Sequence, residues 1–146
     1  MAILFVAEEV NRPVLKYRNV IFWIKQILFN NDCVPGELTY IFCNDKFLLD
    51  INIRFLNHDF FTDIVTFDYC VEKKISGDFF ISIDRVLENS KSFNVSYEEE
   101  LLRVIVHGLL HLLGYKDSNL EEKKLIRELE DQCILMFENI ENGRFK

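Results

Sequence analysis

The most constraining feature of the chain is a run of about sixteen residues that is nearly all apolar yet carries the signals of a helix rather than a strand. Ser96 stands three residues before Glu99, the spacing of a reciprocal capping box, and Gly114 is placed as a C′ stop, so a helix is predicted over residues 97–113. Within it Leu101, Leu102, Val104, Ile105, Val106, Leu109 and Leu110 leave almost no polar face. A helix apolar on most sides must be buried on most sides, so the remaining elements have to pack around this one. Two of the chain's three histidines, His107 and His111, lie inside it.

The surrounding sequence supplies the layers. A short β-branched and aromatic run over residues 2–7 predicts a first strand, and Pro13 introduces a helix over about 15–29 with Val20, Trp23, Ile24, Ile27 and Leu28 at helical spacing, Trp23 being assigned to the core. Pro35-Gly36 predicts a turn, followed by a strand in which Leu38, Tyr40 and Phe42 alternate with Glu37, Thr39 and Ile41. Asn44-Asp45 can cap a helix over 45–56 with Phe47, Leu48, Ile51 and Phe55 along one side. Strands are predicted over 63–69 and 78–83, a third helix over 84–93, and a last amphipathic helix over 120–140 with Leu125, Ile126, Leu129, Cys133, Met136, Phe137 and Ile140 facing the core. The residues after Asn142 are polar and are expected to fray. No repeat, low-complexity tract or linker interrupts this order, which favours one α/β or α+β domain over residues 1–146.

Composition limits the function classes. With 49% hydrophobic residues and 14 Phe the chain has ample material for a core and lacks the balance of a disordered protein. Cys33, Cys43, Cys70 and Cys133 form no CxxC pair and read as buried thiols. The first residues lack the basic start of a secretory signal, and no stretch is long and apolar enough for a membrane span, so a cytoplasmic protein without a membrane partner is expected. The net charge of −7 opposes a nucleic-acid partner, since phosphate binding relies on clustered Lys and Arg, but the acids concentrate in surface-like helical runs at residues 98–100 and 121–122, which leaves room for a local basic cleft.

The chemistry concentrates in His107-Gly-Leu-Leu-His111-Leu-Leu-Gly-Tyr-Lys-Asp117. Residues four apart share one helical face, so both imidazoles can point at one ion. Gly114 lets the chain turn back and bring the Asp117 carboxylate to the same side. Two imidazoles and one carboxylate suit zinc and leave a fourth position for water, the mark of a catalytic rather than a structural ion. The alternative is that both histidines only hydrogen-bond backbone carbonyls in the core; two unpaired imidazoles are costly to bury there, and an acid directly after the turn favours the metal. The residue after His107 is Gly108 and not the glutamate that serves as base in HExxH proteases, which disfavours peptide hydrolysis. His58 lies in a loop and reads as an ordinary surface residue, while Asp63 and Asp78 at strand starts can fix backbone or the histidines.

The run from His107 to Tyr115 resembles the HGxLHLxGYDH signature of the YbeY family. Thr62-Asp63-Ile64-Val65-Thr66-Phe67 is similar to the family's TDVLSF strand and Gly77-Asp78-Phe79-Phe80-Ile81-Ser82 to its GDI-containing strand, so the resemblance spans about residues 45–120. It implies an α+β fold, a small mixed, mostly parallel sheet flanked by helices, with the metal in a cleft beside the histidine helix. It also implies one zinc ion per chain held by His107, His111 and Asp117, and single-strand-specific endoribonuclease activity in ribosomal RNA maturation (the 16S 3′ end) and ribosome quality control, with ribosomal RNA and the small ribosomal subunit as partners. Two departures stand out. The family's closing Asp-His is Lys116-Asp117 here, so a carboxylate replaces the third imidazole and makes the metal a weaker Lewis acid. An arginine that in the family aids catalysis or binds phosphate falls on Leu56, with Arg54 and Lys116 the nearest cations to take its place. The rival implied by those departures is a ribosome-assembly binding protein with a structural ion and little catalysis; hydrolysis of a small phosphoester or amide is a third reading.

Overall fold

Short β-branched and aromatic runs build the sheet and longer amphipathic segments cover it. A computed structural model describes residues 2–143, so the expected fraying of the tail falls largely outside the described residues. The order is β1 (Ala2–Ala7), α1 (Tyr17–Asn30), β2 (Val34–Cys43), α2 (Asp45–Leu56), β3 (Ile64–Asp68), β4 (Lys74–Ser82), α3 (Ile83–Phe93), α4 (Tyr97–Leu112) and α5 (Leu120–Glu141). The four strands form one sheet in the order β1-β2-β4-β3. The pairs β1·β2 and β2·β4 are parallel and β3·β4 is antiparallel, which makes the sheet mixed and mostly parallel, as expected from the resemblance.

The helix starts follow the capping chemistry of the sequence. Ser96 accepts the Glu99 amide at 3.0 Å, Asn44 the Phe47 amide at 2.8 Å and Asn119 the Glu122 amide at 2.9 Å. Trp23 is fully buried, with its ring edge against Phe137 and its indole N–H donating to the Cys133 carbonyl at 2.7 Å, so it joins α1 to α5. Of the four cysteines, Cys43 and Cys133 are buried as expected, whereas Cys33 and Cys70 are only half-buried, and all are free thiols.

Pro35-Gly36 is not a turn. Both residues lie inside β2, where the pairing with β4 shifts register between Pro35 and Leu38. A proline is tolerated at such an irregularity because the ladder bond it cannot make is already missing. At Gly36 a Cβ would stand 2.0 Å from the Ser76 hydroxyl and 3.2 Å from the Ile75 carbonyl oxygen, so a side chain there would displace the Ser76 hydroxyl. Sequence periodicity also misjudged one face of α2. Phe55 is 58% exposed, and the buried positions are Leu48 and Asn52.

Helix α4 occupies the centre, packed on β3 and β4 and flanked by α3 and α5. Leu101, Ile105 and Leu109 are fully buried. The close approach to the sheet is made at Gly108, where a Cβ would lie 2.7 Å from both Ile64 Cδ1 and Phe79 Cδ1. Gly108→Ala therefore sets a gain in helix propensity of about 1 kcal/mol against overpacking of about 1–3 kcal/mol. The expected outcome is net destabilisation in urea unfolding, and a variant stabilised by the full propensity gain would show that the helix does not rest on the sheet at this residue.

Candidate metal centre

Helix α4 is buried nearly all round beyond its first turn, and from Glu100 onward its polar residues form one stripe, Glu100, Arg103, His107 and His111, spaced by three and four. The helix ends at Leu112 with Leu113 as its cap, and Gly114, at φ +102°, turns the chain in a conformation that side chains rarely adopt. Its amide donates to the His111 carbonyl at 3.0 Å and the Tyr115 amide to Leu110 at 3.1 Å. The following loop is fixed at its far end by Ser118, whose amide donates to Glu122 at 3.0 Å. Between these anchors Asp117 returns to the helix.

The structure brings together the three residues singled out by the sequence. Asp117 Oδ2 lies 3.4 Å from His107 Nε2 and 3.5 Å from His111 Nε2, and the two imidazole nitrogens are 3.0 Å apart. Donors bound to one tetrahedral zinc at its usual bond lengths stand about 3.3 Å from each other. The three atoms thus have the mutual spacing of three corners of such a site, and among the described residues this is the one His, Cys, Asp and Glu group with that spacing.

The geometry also contains residues that sequence reasoning missed. Glu130, 4% exposed on α5, accepts from His107 Nδ1 and, at 3.1 Å, from Arg103 Nη1. The other side of the Arg103 guanidinium donates to Asp131 at 2.8 Å. With Nδ1 donating to Glu130, His107 presents the Nε2 lone pair towards Asp117 and His111, the orientation a ligand needs. A signal was available: Glu130 falls in the buried stripe of Ile126, Cys133 and Phe137, and Arg103 among the apolar residues of α4.

Two clefts meet at the triad and share Asp63, His107 and Asp117. One, of about 320 Å³, is floored by the carboxyls of Asp63, Glu100 and Glu130, with Lys123 and Arg127 among its cations. Glu100 corrects the expectation of a surface run: it is only 3% exposed and accepts no hydrogen bond from a described residue. Burial, reinforced by Asp63, pushes its carboxyl up to about 7. Burial likewise raises Asp63, against the opposing pull of His107. For His107 burial acts downward, but the Glu130 hydrogen bond and the charges of Glu130, Asp63 and Asp117 outweigh it and leave the ring raised. The second cleft, of about 490 Å³, is walled by Leu56, His58 and Phe60. Neither Arg54 nor Lys116 lines either cleft, and Asp78 lies apart, accepting from the Tyr69 hydroxyl at 3.3 Å.

A mixed four-stranded sheet with a His-His-Asp constellation on its central helix defines an α+β protein with a candidate single-ion centre. The family model described as Endoribonuclease YbeY matches residues 7–138. An Endoribonuclease YbeY of Flavobacterium johnsoniae is 50% identical over 115 residues, covering 79% of this chain and 83% of the relative. One of Bacteroides fragilis is 43% identical over 136 residues, covering 93% and 98%. The chain belongs to the YbeY family. A solution structure of a Thermotoga maritima protein shares the fold, with a TM-score of 0.66 over 97% of this chain and 93% of that one at 23% identity.

Two outcomes follow from the buried carboxyls. Glu130→Gln keeps the shape but weakens the orientation of His107, and the affinity of the candidate centre for an added divalent metal ion, measured by competition with a chelating dye, should fall about 10- to 100-fold. Glu100 holds a proton in the folded chain that the unfolded chain releases near its ordinary value of 4.5, so its favourable contribution is complete below about pH 4.5 and is lost as pH rises to about 7. Glu100→Gln should therefore gain about 2–3 kcal/mol relative to wild type between pH 4.5 and pH 8 in urea unfolding. A difference that does not change with pH would show that this carboxyl titrates normally.

Proposed function

We propose that the chain, acting as one domain over residues 1–146, is a zinc-dependent endoribonuclease that cuts single-stranded RNA in the maturation of ribosomal RNA, at the 16S 3′ end, and in ribosome quality control on the small subunit in the cytoplasm. The observation that carries the reading is the convergence of His107 Nε2, His111 Nε2 and Asp117 Oδ2 within 3.5 Å of one another, on the segment that carries the family's motif. The family description and the names of the Flavobacterium and Bacteroides relatives supply the endoribonuclease class. No described helix is long and apolar enough to cross a membrane.

In this reading His107, His111 and Asp117 hold the ion. Bound there, zinc supplies Lewis acidity towards a phosphoryl oxygen and lowers the pKa of a water. Glu130 fixes the His107 ring so that its Nε2 faces the centre, and Arg103 holds Glu130 in turn. Asp117 adds a negative charge where the HGxLHLxGYDH signature ends on a histidine, which tempers the Lewis acidity. Asp63, lining both clefts between which the triad stands, is the carboxyl placed to take or give a proton at the reacting centre. A group of three ligand residues, His107, His111 and Asp117, fits the donor set of a catalytic ion better than the four of a structural one and supports this reading over a pure assembly factor.

Elemental analysis should find about one zinc per chain in wild type and much less in His107→Ala and Asp117→Ala, with RNA cleavage lost in parallel. RNA left intact by zinc-loaded wild type would overturn the nuclease reading, and zinc retained by Asp117→Ala would remove that residue from the ligand set. Asp63→Asn should keep its zinc and lose about 100-fold in kcat, as expected for a proton carrier.

A further inference from the structure

The cleft on the α2 side of the triad is unusual in what it exposes. Phe60, on the loop after α2, is 55% exposed although it lines a cleft that reaches the candidate centre. An exposed aromatic ring so placed offers its face to a ligand. Phe60 and His58 stand in the wall of the cleft that also contains His107, His111 and Asp117, and their rings are stacked at 5.2 Å with an interplanar angle of 22°.

This aromatic pair is held in place from beneath. Asn52, 1% exposed, donates its side-chain amide to the Phe60 carbonyl at 3.0 Å, while its own backbone carbonyl accepts the His58 amide at 3.1 Å. Asn57 between them caps α2 in the left-handed conformation at φ 56°. A buried polar side chain spent on the backbone of an exposed phenylalanine fixes where that ring stands, which explains why Asn52 occupies a core-facing position of α2.

A nucleic acid can be gripped by its phosphates or by the faces of its bases. No Lys or Arg is among the described residues lining this cleft, whereas Arg103, Lys123 and Arg127 line the opposite one beside Glu100 and Glu130. What the α2-side cleft offers is aromatic surface next to the candidate centre. We propose that Phe60 and His58 form a base-stacking subsite that takes the nucleobase flanking the phosphodiester presented at His107, His111 and Asp117. The inference rests on the endoribonuclease reading and adds to it how a chain of net charge −7 holds RNA.

The test uses zinc-loaded full-length protein. Phe60→Ala should raise KM for a short single-stranded RNA roughly tenfold with kcat and zinc content unchanged, and Phe60→Trp should restore it. Because the native Trp23 is fully buried, the Phe60→Trp variant carries one exposed indole, whose fluorescence should be quenched by the single-stranded RNA and not by an abasic ribose-phosphate strand of the same length. A wild-type KM in Phe60→Ala, or equal quenching by both strands, overturns the subsite while leaving the nuclease reading intact. If wild type fails to cut RNA, that reading falls alone: quenching by the base-bearing strand then keeps the stacking surface, and its absence removes it, leaving a protein partner as the occupant of the patch.

Discussion

The carboxylate of Glu130 is the point on which the candidate site depends. It is nearly inaccessible to solvent and is shared by the Arg103 guanidinium and the His107 imidazole, so it ties α5 to α4 and orients the ring with the same two oxygens. A buried charge with one partner removed is left uncompensated at a cost of about 3–5 kcal/mol, and the fold therefore enforces the geometry that the chemistry requires. Stability and function are coupled here because the atoms are the same. Asp131, exposed beside it, takes the other side of Arg103 and keeps the guanidinium from turning away.

The charges of this chain, −7 in sum, are unevenly placed around the candidate centre. Glu100 and Glu130 lie in one cleft with Arg103, Lys123 and Arg127, the other carries Leu56, His58 and Phe60 and no Lys or Arg among the described residues, and Asp63 and Asp117 line both. The two meet at the candidate centre.

Much of this was legible in the chain. The apolar run with Ser96 before it and Gly114 after it specified α4 almost to the residue, because capping and burial agree there. The i, i+4 histidines and the glycine turn pointed to Asp117, whose carboxylate does return to both rings. Pro35-Gly36 misled, because local turn propensity yielded to pairing on both sides of β2, and the apolar position of Phe55 misled because Asn52, a polar residue, was the one taken into the interior.

By itself, then, the sequence determined the elements, the buried helix and the three candidate ligand residues, which rest on short-range periodicity and on local turns. It could not determine that Glu130 reaches His107 across 23 positions, that Glu100 in an acidic run is buried, or that Phe60 stands beside the triad. Those depend on how α5, α3 and the loop after α2 pack around α4. Periodicity tells which side of a helix is covered, and only the packing of distant elements decides what covers it.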